Sequence, residues 1–222
     1  GSMKTVMCIG AHPDDIEFVC AGTLLQWQRQ GHEVVLVVLT NGESGYKAGD
    51  LPPAERAAIR RREQLAAARE LGLREVVFCD HRDGFLAASE DLRAHLVALV
   101  REHRPEIVFA FDPANRDFDD LNLFHRDHRV AAELSFDAVF AAKNRWMYPG
   151  EPHRVGEIWF FGSHAPDRWV DITDDIDRKL AILRCHASQF GDHARLERLV
   201  REELSGPHGA AHHSEAFRVL RV

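Results

Sequence analysis

The chain has 222 residues, 45% of them hydrophobic, and a formal net charge of −7 from 28 basic and 35 acidic side chains. That length can bury a substantial core in one α/β domain, and arginines interspersed with acids, not gathered in a stripe, argue against a nucleic-acid footprint. No apolar run nears the roughly 18 to 20 residues of a bilayer-spanning helix, so no membrane insertion is expected, and four separated cysteines without CxxC spacing suggest reduced thiols in a cytoplasmic protein.

Gly1 and Ser2 ahead of Met3 read as an expression remnant, and a single domain is expected over 3–222. Residues 5–10 and 33–39, the latter EVVLVVL, are apolar runs without polar alternation, the signature of buried parallel strands. Between them 22–30 has helical character and stops at Gly31, which gives a βαβ unit with a right-handed crossover. Residues 53–71 form a helix that opens on proline and closes at Gly72, followed by a strand over 75–79. A helix over 92–103 stopped before Pro105, a strand over 107–111, a helix over 127–142 and a strand over 157–161 continue the alternation. Helices over 174–186 and 193–204 and a closing strand over 217–222 complete it, with flexible stretches at 42–51, 113–123 and 205–214. The pattern predicts an open, mostly parallel Rossmann-like sheet with helices on both faces and an active site at the C-terminal ends of the strands.

Polar chemistry gathers at those ends. His12-Pro13-Asp14-Asp15 follows the first strand, and His125-Arg126-Asp127-His128 opens a helix after the fourth. A catalytic zinc takes three protein ligands from imidazole and carboxylate and keeps one position for water; His12, Asp15 and His128 satisfy that count. Asp14, turned aside by Pro13, is placed to take a proton from water, and His125 to face the oxyanion or the leaving amine. The blander readings are that Asp14 or Asp15 caps a helix starting near Ile16 and that His125 and His128 are helix-start histidines. The histidines at 208, 212 and 213 read as a Gly-rich loop, not a second metal site. The stretches 115–123 and 142–153, the second carrying Trp146 and Tyr148, are of a length that closes over substrates.

AHPDD after the first strand with an H-x-D-H segment about 110 residues on resembles the LmbE/PIG-L family of metal-dependent N-deacetylases. Thr40-Asn41-Gly42-Glu43 is similar to the family's TxGE segment, 60–72 to its arginine-bearing second helix, Asp83-Gly84 to its DG turn and His186-Ala187-Ser188-Gln189 to its HxSQ. The resemblance implies His12, Asp15 and His128 as ligands of Zn2+, Asp14 as general base, His125 as electrostatic partner, and Arg60 and Asp83 as groups that hold sugar hydroxyls. Another divalent metal such as iron(II) is the alternative for the same nitrogen and oxygen donors. It also implies a small N-acylated substrate, an amino sugar such as N-acetylglucosamine, as partner, and leaves homo-oligomerisation open. Ile16-Glu17 after AHPDD is similar to the bacillithiol-pathway variant, and Leu123 stands where mycothiol-pathway enzymes carry a tyrosine. An amidase for larger conjugates and a non-catalytic sugar- or nucleotide-binding module are the competing readings; the missing GxGxxG after the first strand weighs against the module.

Overall fold

In the computed structural model, which describes residues 2–204 and 212–222, five neighbouring strands of one sheet run parallel. These are β1 (Thr5–Gly10), β2 (Glu33–Thr40), β3 (Glu75–His81), β4 (Ile107–Phe111) and β5 (Glu157–Phe161). The apolar side chains of β1, β2 and β4 are buried on both faces, as Val6 to Ile9, Val34 to Leu39 and Ile107 to Phe111 show, because helices cover both sides of the sheet, whereas those of the edge strand β3 are only partly buried. The strand order is β3-β2-β1-β4-β5-β7-β6. Here β6 (Arg168–Asp171) and β7 (Ser214–Arg221) form an antiparallel extension, β7 pairing with both β5 and β6.

The helices are α1 (Asp15–Arg29), α2 (Pro53–Leu71), α3 (Glu90–His103), α4 (Leu121–Phe124), α5 (Arg126–Ala142), α6 (Ile176–Arg184) and α7 (His193–Glu203). The expected α2 is present with its proline at the first turn and Gly72 as cap at φ 85°, a left-handed conformation that glycine adopts without the Cβ penalty. The first helix starts seven residues before the expected 22, since Ile16, Cys20, Ala21, Leu24 and Leu25 form one buried stripe. The unexpected pieces are α4, a single turn inside the 113–123 stretch, and β6, a four-residue edge strand with a mostly exposed face. The expected flexible stretch 205–214 lies, except for its last three residues, outside the described residues, and Ser214 begins β7.

Sequence order places β1 beside β4 at the point where chain progression across the sheet reverses. A crevice opens there, because the connections leaving the two strands run in opposite directions. A second apolar cluster, built on Ile172, Ile176, Leu180, Leu183, Leu196 and Val200, packs α7 against α6, and α6 in turn lies against α1 and α2. Lys179 and Glu215 join the two clusters through a fully buried ion pair at 2.6 Å. Glu215 also accepts from the N–H groups of Gly22 and Thr23 and from the Thr23 hydroxyl, and this full hydrogen bonding is the condition under which a buried pair is tolerated.

Candidate active site

The loop from β1 into α1 folds on itself through one carboxylate. Asp15 Oδ2 accepts from the backbone N–H of Ala11 at 3.1 Å and of His12 at 2.8 Å. The same oxygen lies 3.2 Å from His12 Nδ1 and 3.4 Å from His128 Nε2, and those two nitrogens are 3.3 Å apart. His128 reaches this point from the first turn of α5, 116 residues along the chain.

The outer nitrogens of both rings fix the tautomers. His128 Nδ1 lies 3.0 Å from the carbonyl of Leu123, which can only accept, so Nδ1 carries the proton and Nε2 presents a lone pair. His12 Nε2 lies 2.8 Å from Asp127 Oδ2 and 3.1 Å from Asp83 Oδ1, so the proton is on Nε2 and Nδ1 faces inward. Two imidazole lone pairs and a carboxylate oxygen therefore converge with no donor among them. Tetrahedral zinc at its usual bond lengths separates its nitrogen and oxygen ligands by about 3.3–3.4 Å, the spacing seen here, so these three residues fit a divalent cation. Burial opposes a proton on His12, but Asp15, Asp127 and Asp83 outweigh burial and hold the ring well above the ordinary imidazole range. Burial likewise opposes ionisation of Asp15, and the facing rings of His128 and His12 keep its carboxyl well below the carboxylate range.

Asp127 is fully buried and accepts from the N–H groups of Gly84 and Leu86 as well as from His12. Those three hydrogen bonds outweigh the cost of burial and hold its carboxyl far below the usual range. The cluster of His12, Asp83 and Asp127 offers carboxylates to an N–H, which makes it a support for the inward-facing ring, the usual second partner of a ligating histidine.

Asp14, next to the triad, is the N-cap of α1 but makes no side-chain capping bond; its backbone is at φ 91°, ψ −20°. A non-glycine residue there costs of order 1–3 kcal/mol and persists only when its surroundings enforce it. They do. Arg60, 2% exposed, donates to the carbonyls of Pro13 at 2.7 Å and Gly42 at 2.8 Å and lies 3.5 Å from Asp14 Oδ2. Gln64 Oε1 accepts from Asp14 N at 3.3 Å, while its amide donates to the buried Glu17, which is bonded in turn to His186. Burial pushes the Asp14 carboxyl up to about 6, with His186 and Arg60 pulling the other way.

His125 caps the short α4 and precedes α5, with its ring centroid 4.0 Å from that of His128 and 5.1 Å from that of His12. One nitrogen from each of the three rings lies within 4.8 Å of the others, but Asp15 makes the tighter third corner. Burial, then the neighbouring His128 and His12, lowers His125 to about 4, so its ring is neutral near pH 7.

The structure thus gathers His12, Asp14, Asp15, His125 and His128 at one point, with Arg60 and Asp83 on the wall of the same cleft. Arg60 faces the loop carbonyls, and Asp83 accepts from Ser44 N at 3.0 Å as well as facing His12. Glu43 and Gln189 hold the surrounding loops, Glu43 facing Arg82 and Gln189 donating to the Gly45 carbonyl. The cleft measures ≈ 470 Å³. Asn122 and Leu123 of the 115–123 stretch border it or the adjoining cavity, whereas none of the residues bordering either comes from 142–153. Trp146 is 83% exposed, and Tyr148 receives a hydrogen bond from Arg93. Sequence reasoning missed Asp127, Gln64 and Glu17 as supports; the acid inside H-x-D-H was the one available signal.

A mostly parallel sheet with three convergent metal-type acceptors and an adjacent carboxylate at its switch point defines an α/β protein with a candidate cation site at the ends of its strands. The chain belongs to the family described as PIG-L: GlcNAc-PI de-N-acetylase, whose profile matches residues 7–139. It is 32% identical to diacetylchitobiose deacetylase of Thermococcus kodakarensis over 85% of this chain and 71% of that one. It is 30% identical to 4-oxalmesaconate hydratase of Pseudomonas putida over 84% of this chain and 74% of that one. The structure of N,N'-diacetylchitobiose deacetylase from Pyrococcus horikoshii superposes with a TM-score of 0.88 at 31% identity, covering 98% of this chain and 84% of that chain.

Proposed function

We propose that the chain is a metal-dependent N-deacetylase that hydrolyses the amide of an N-acetylated amino sugar, with His12, Asp15 and His128 holding zinc. The observation that carries this reading is the convergence of two imidazoles and one carboxylate beside a second carboxylate, Asp14, on a strained backbone. The family and its deacetylase members support the same chemistry.

Bound zinc supplies Lewis acidity toward water and the amide carbonyl. Asp14 takes the proton of the attacking water, its basicity raised by burial. The water oxygen forms the new C–O bond, the C–N bond breaks, and the proton passes to the departing nitrogen, which leaves a carboxylic acid and an amine. His125, neutral and in the cleft, donates an N–H hydrogen bond to the oxygen on which negative charge develops. Arg60 acts through the loop, fixing Pro13 and Gly42 so that Asp14 faces the cleft. Asp83, Ser44, Lys47 and Gln189 offer the sugar hydroxyls a polar wall.

The test is release of a primary amine from a panel of N-acetylglucosaminides by zinc-loaded protein, with Asp14→Asn as control. No amine from any member of the panel overturns the reading. The hydratase relative motivates a second reading, addition of water to an activated C=C bond by the same base. Loss of ultraviolet absorbance from an unsaturated dicarboxylate, without amine release from the sugars, would favour it.

A further inference from the structure

Two cavities meet at Asp14, Asp15 and His128, and they differ in chemistry. The first is the polar cleft described above, bordered by Ser44, Lys47, Arg60, Asp83 and Gln189. The second, ≈ 540 Å³, extends from the other side of His128 and is walled by Phe18, Val19, Phe111, Leu123, Phe161 and, at its outer end, Leu199. Phe111 stacks on the His128 ring with centroids 4.2 Å apart, so the apolar wall begins at the triad itself.

Two of the carboxylates bordering this second arm are engaged elsewhere. Glu215 is held by Lys179, Gly22 and Thr23, and Asp120 caps α4 through the N–H groups of Asn122 and Leu123. Gly162 keeps the inner part narrow but open: at φ +62° it favours glycine, and a Cβ there would come 3.2 Å from Leu123 Cδ1 and 3.8 Å from Phe111 Cδ1. An acetyl methyl occupies little of such a space.

Resting on the deacylase reading, we infer that the apolar arm is an acyl-chain site and that the preferred substrates are amino sugars whose nitrogen carries a straight-chain acyl group of several carbons. The charged and polar arm matches the sugar, and the scissile amide joins the two at the triad. The reaction is unchanged: water adds to the acyl carbon, the C–N bond breaks, the nitrogen receives the proton, and the products are a fatty acid and a free amino sugar.

The experiment compares kcat/KM of zinc-loaded protein for N-acetyl-, N-butanoyl- and N-hexanoylglucosamine by amine release. Burial of the chain is expected to raise kcat/KM by about threefold to fourfold per methylene until the arm is filled. Val19→Trp, which fills the arm, and Leu199→Glu, which places a charge at its surface-exposed end, should each shrink the hexanoyl-to-acetyl ratio toward one. A ratio below one in the native protein overturns the inference and leaves the deacetylase reading standing. Calorimetric binding of hexanoate against acetate decides the arm independently of turnover. Preferential hexanoate binding lost in Val19→Trp supports the acyl-chain site even if no sugar is hydrolysed, an outcome that removes the deacetylase reading and the substrate preference built on it. Equal binding of the two acids overturns it.

Discussion

His12 donates through Nε2 to Asp127 Oδ2 at 2.8 Å, and that bond sets which face of the ring can meet a cation. Asp127 is itself fixed by Gly84 N and Leu86 N, from the loop after β3. The strand-three loop therefore orients the His12 ring supplied by the strand-one loop. Asp127→Asn is expected to weaken zinc by about 10- to 100-fold, measured by competition with a chromogenic chelator; unaltered affinity would mean the carboxylate does not orient the ring.

Removal of a ligand and removal of the base should separate cleanly. His12→Ala, Asp15→Ala and His128→Ala are each expected to lose bound metal by elemental analysis, whereas Asp14→Asn should retain it while kcat falls by about 100- to 10,000-fold. Full turnover by Asp14→Asn would remove that residue from the chemistry.

If the folded triad holds the cation and the dispersed chain does not, chelation should lower thermal stability as well as activity. At free zinc about 100-fold above its dissociation constant the difference amounts to about 2.7 kcal/mol. Calorimetric scans of chelated and zinc-loaded protein measure it, and superimposed transitions would count against a metal held by this site.

Arg60 is buried and its contacts are to carbonyls in two different loops. Lysine has no planar fork to span them, so Arg60→Lys is expected to reduce stability by about 1.5–3 kcal/mol and to lower kcat through the displaced Asp14 loop. Denaturant melts and steady-state kinetics report the two effects, and native values for both would contradict the bracing role.

Asp112, just after β4, pairs in bidentate fashion with Arg218 at 2.8 Å through both oxygens. Burial opposes ionisation, but the bonds from Arg218, Ser163 and the Ala114 N–H hold its carboxyl below the ordinary range. A depressed folded value means the stabilisation is complete above the unfolded carboxylate range, near pH 4, and is lost as pH falls through the folded value. Asp112→Asn should accordingly destabilise the protein at pH 7 and flatten this part of its acid dependence, followed by thermal melts between pH 7 and pH 2.

The sequence by itself determined the alternating elements and the chemistry of the two motifs. Apolar runs such as 33–39 and 107–111 match β2 and β4 because strands buried on both faces need no alternation. AHPDD and H-x-D-H were legible because ligand residue types are rare in combination and fall directly after strands. Only the tertiary structure decided what each polar group faces. Whether Asp127 or Asp83 meets His12, whether Arg60 points to solvent or to Pro13, and whether Glu215 finds Lys179 depend on contacts between residues tens to more than a hundred positions apart. Local periodicity records burial along one element, whereas the direction of a side chain toward a distant partner is set by how elements pack. The same reason hid β6, whose four residues become a strand through pairing with β7, and the apolar arm beside His128, whose walls come from α1, β4, β5 and α7.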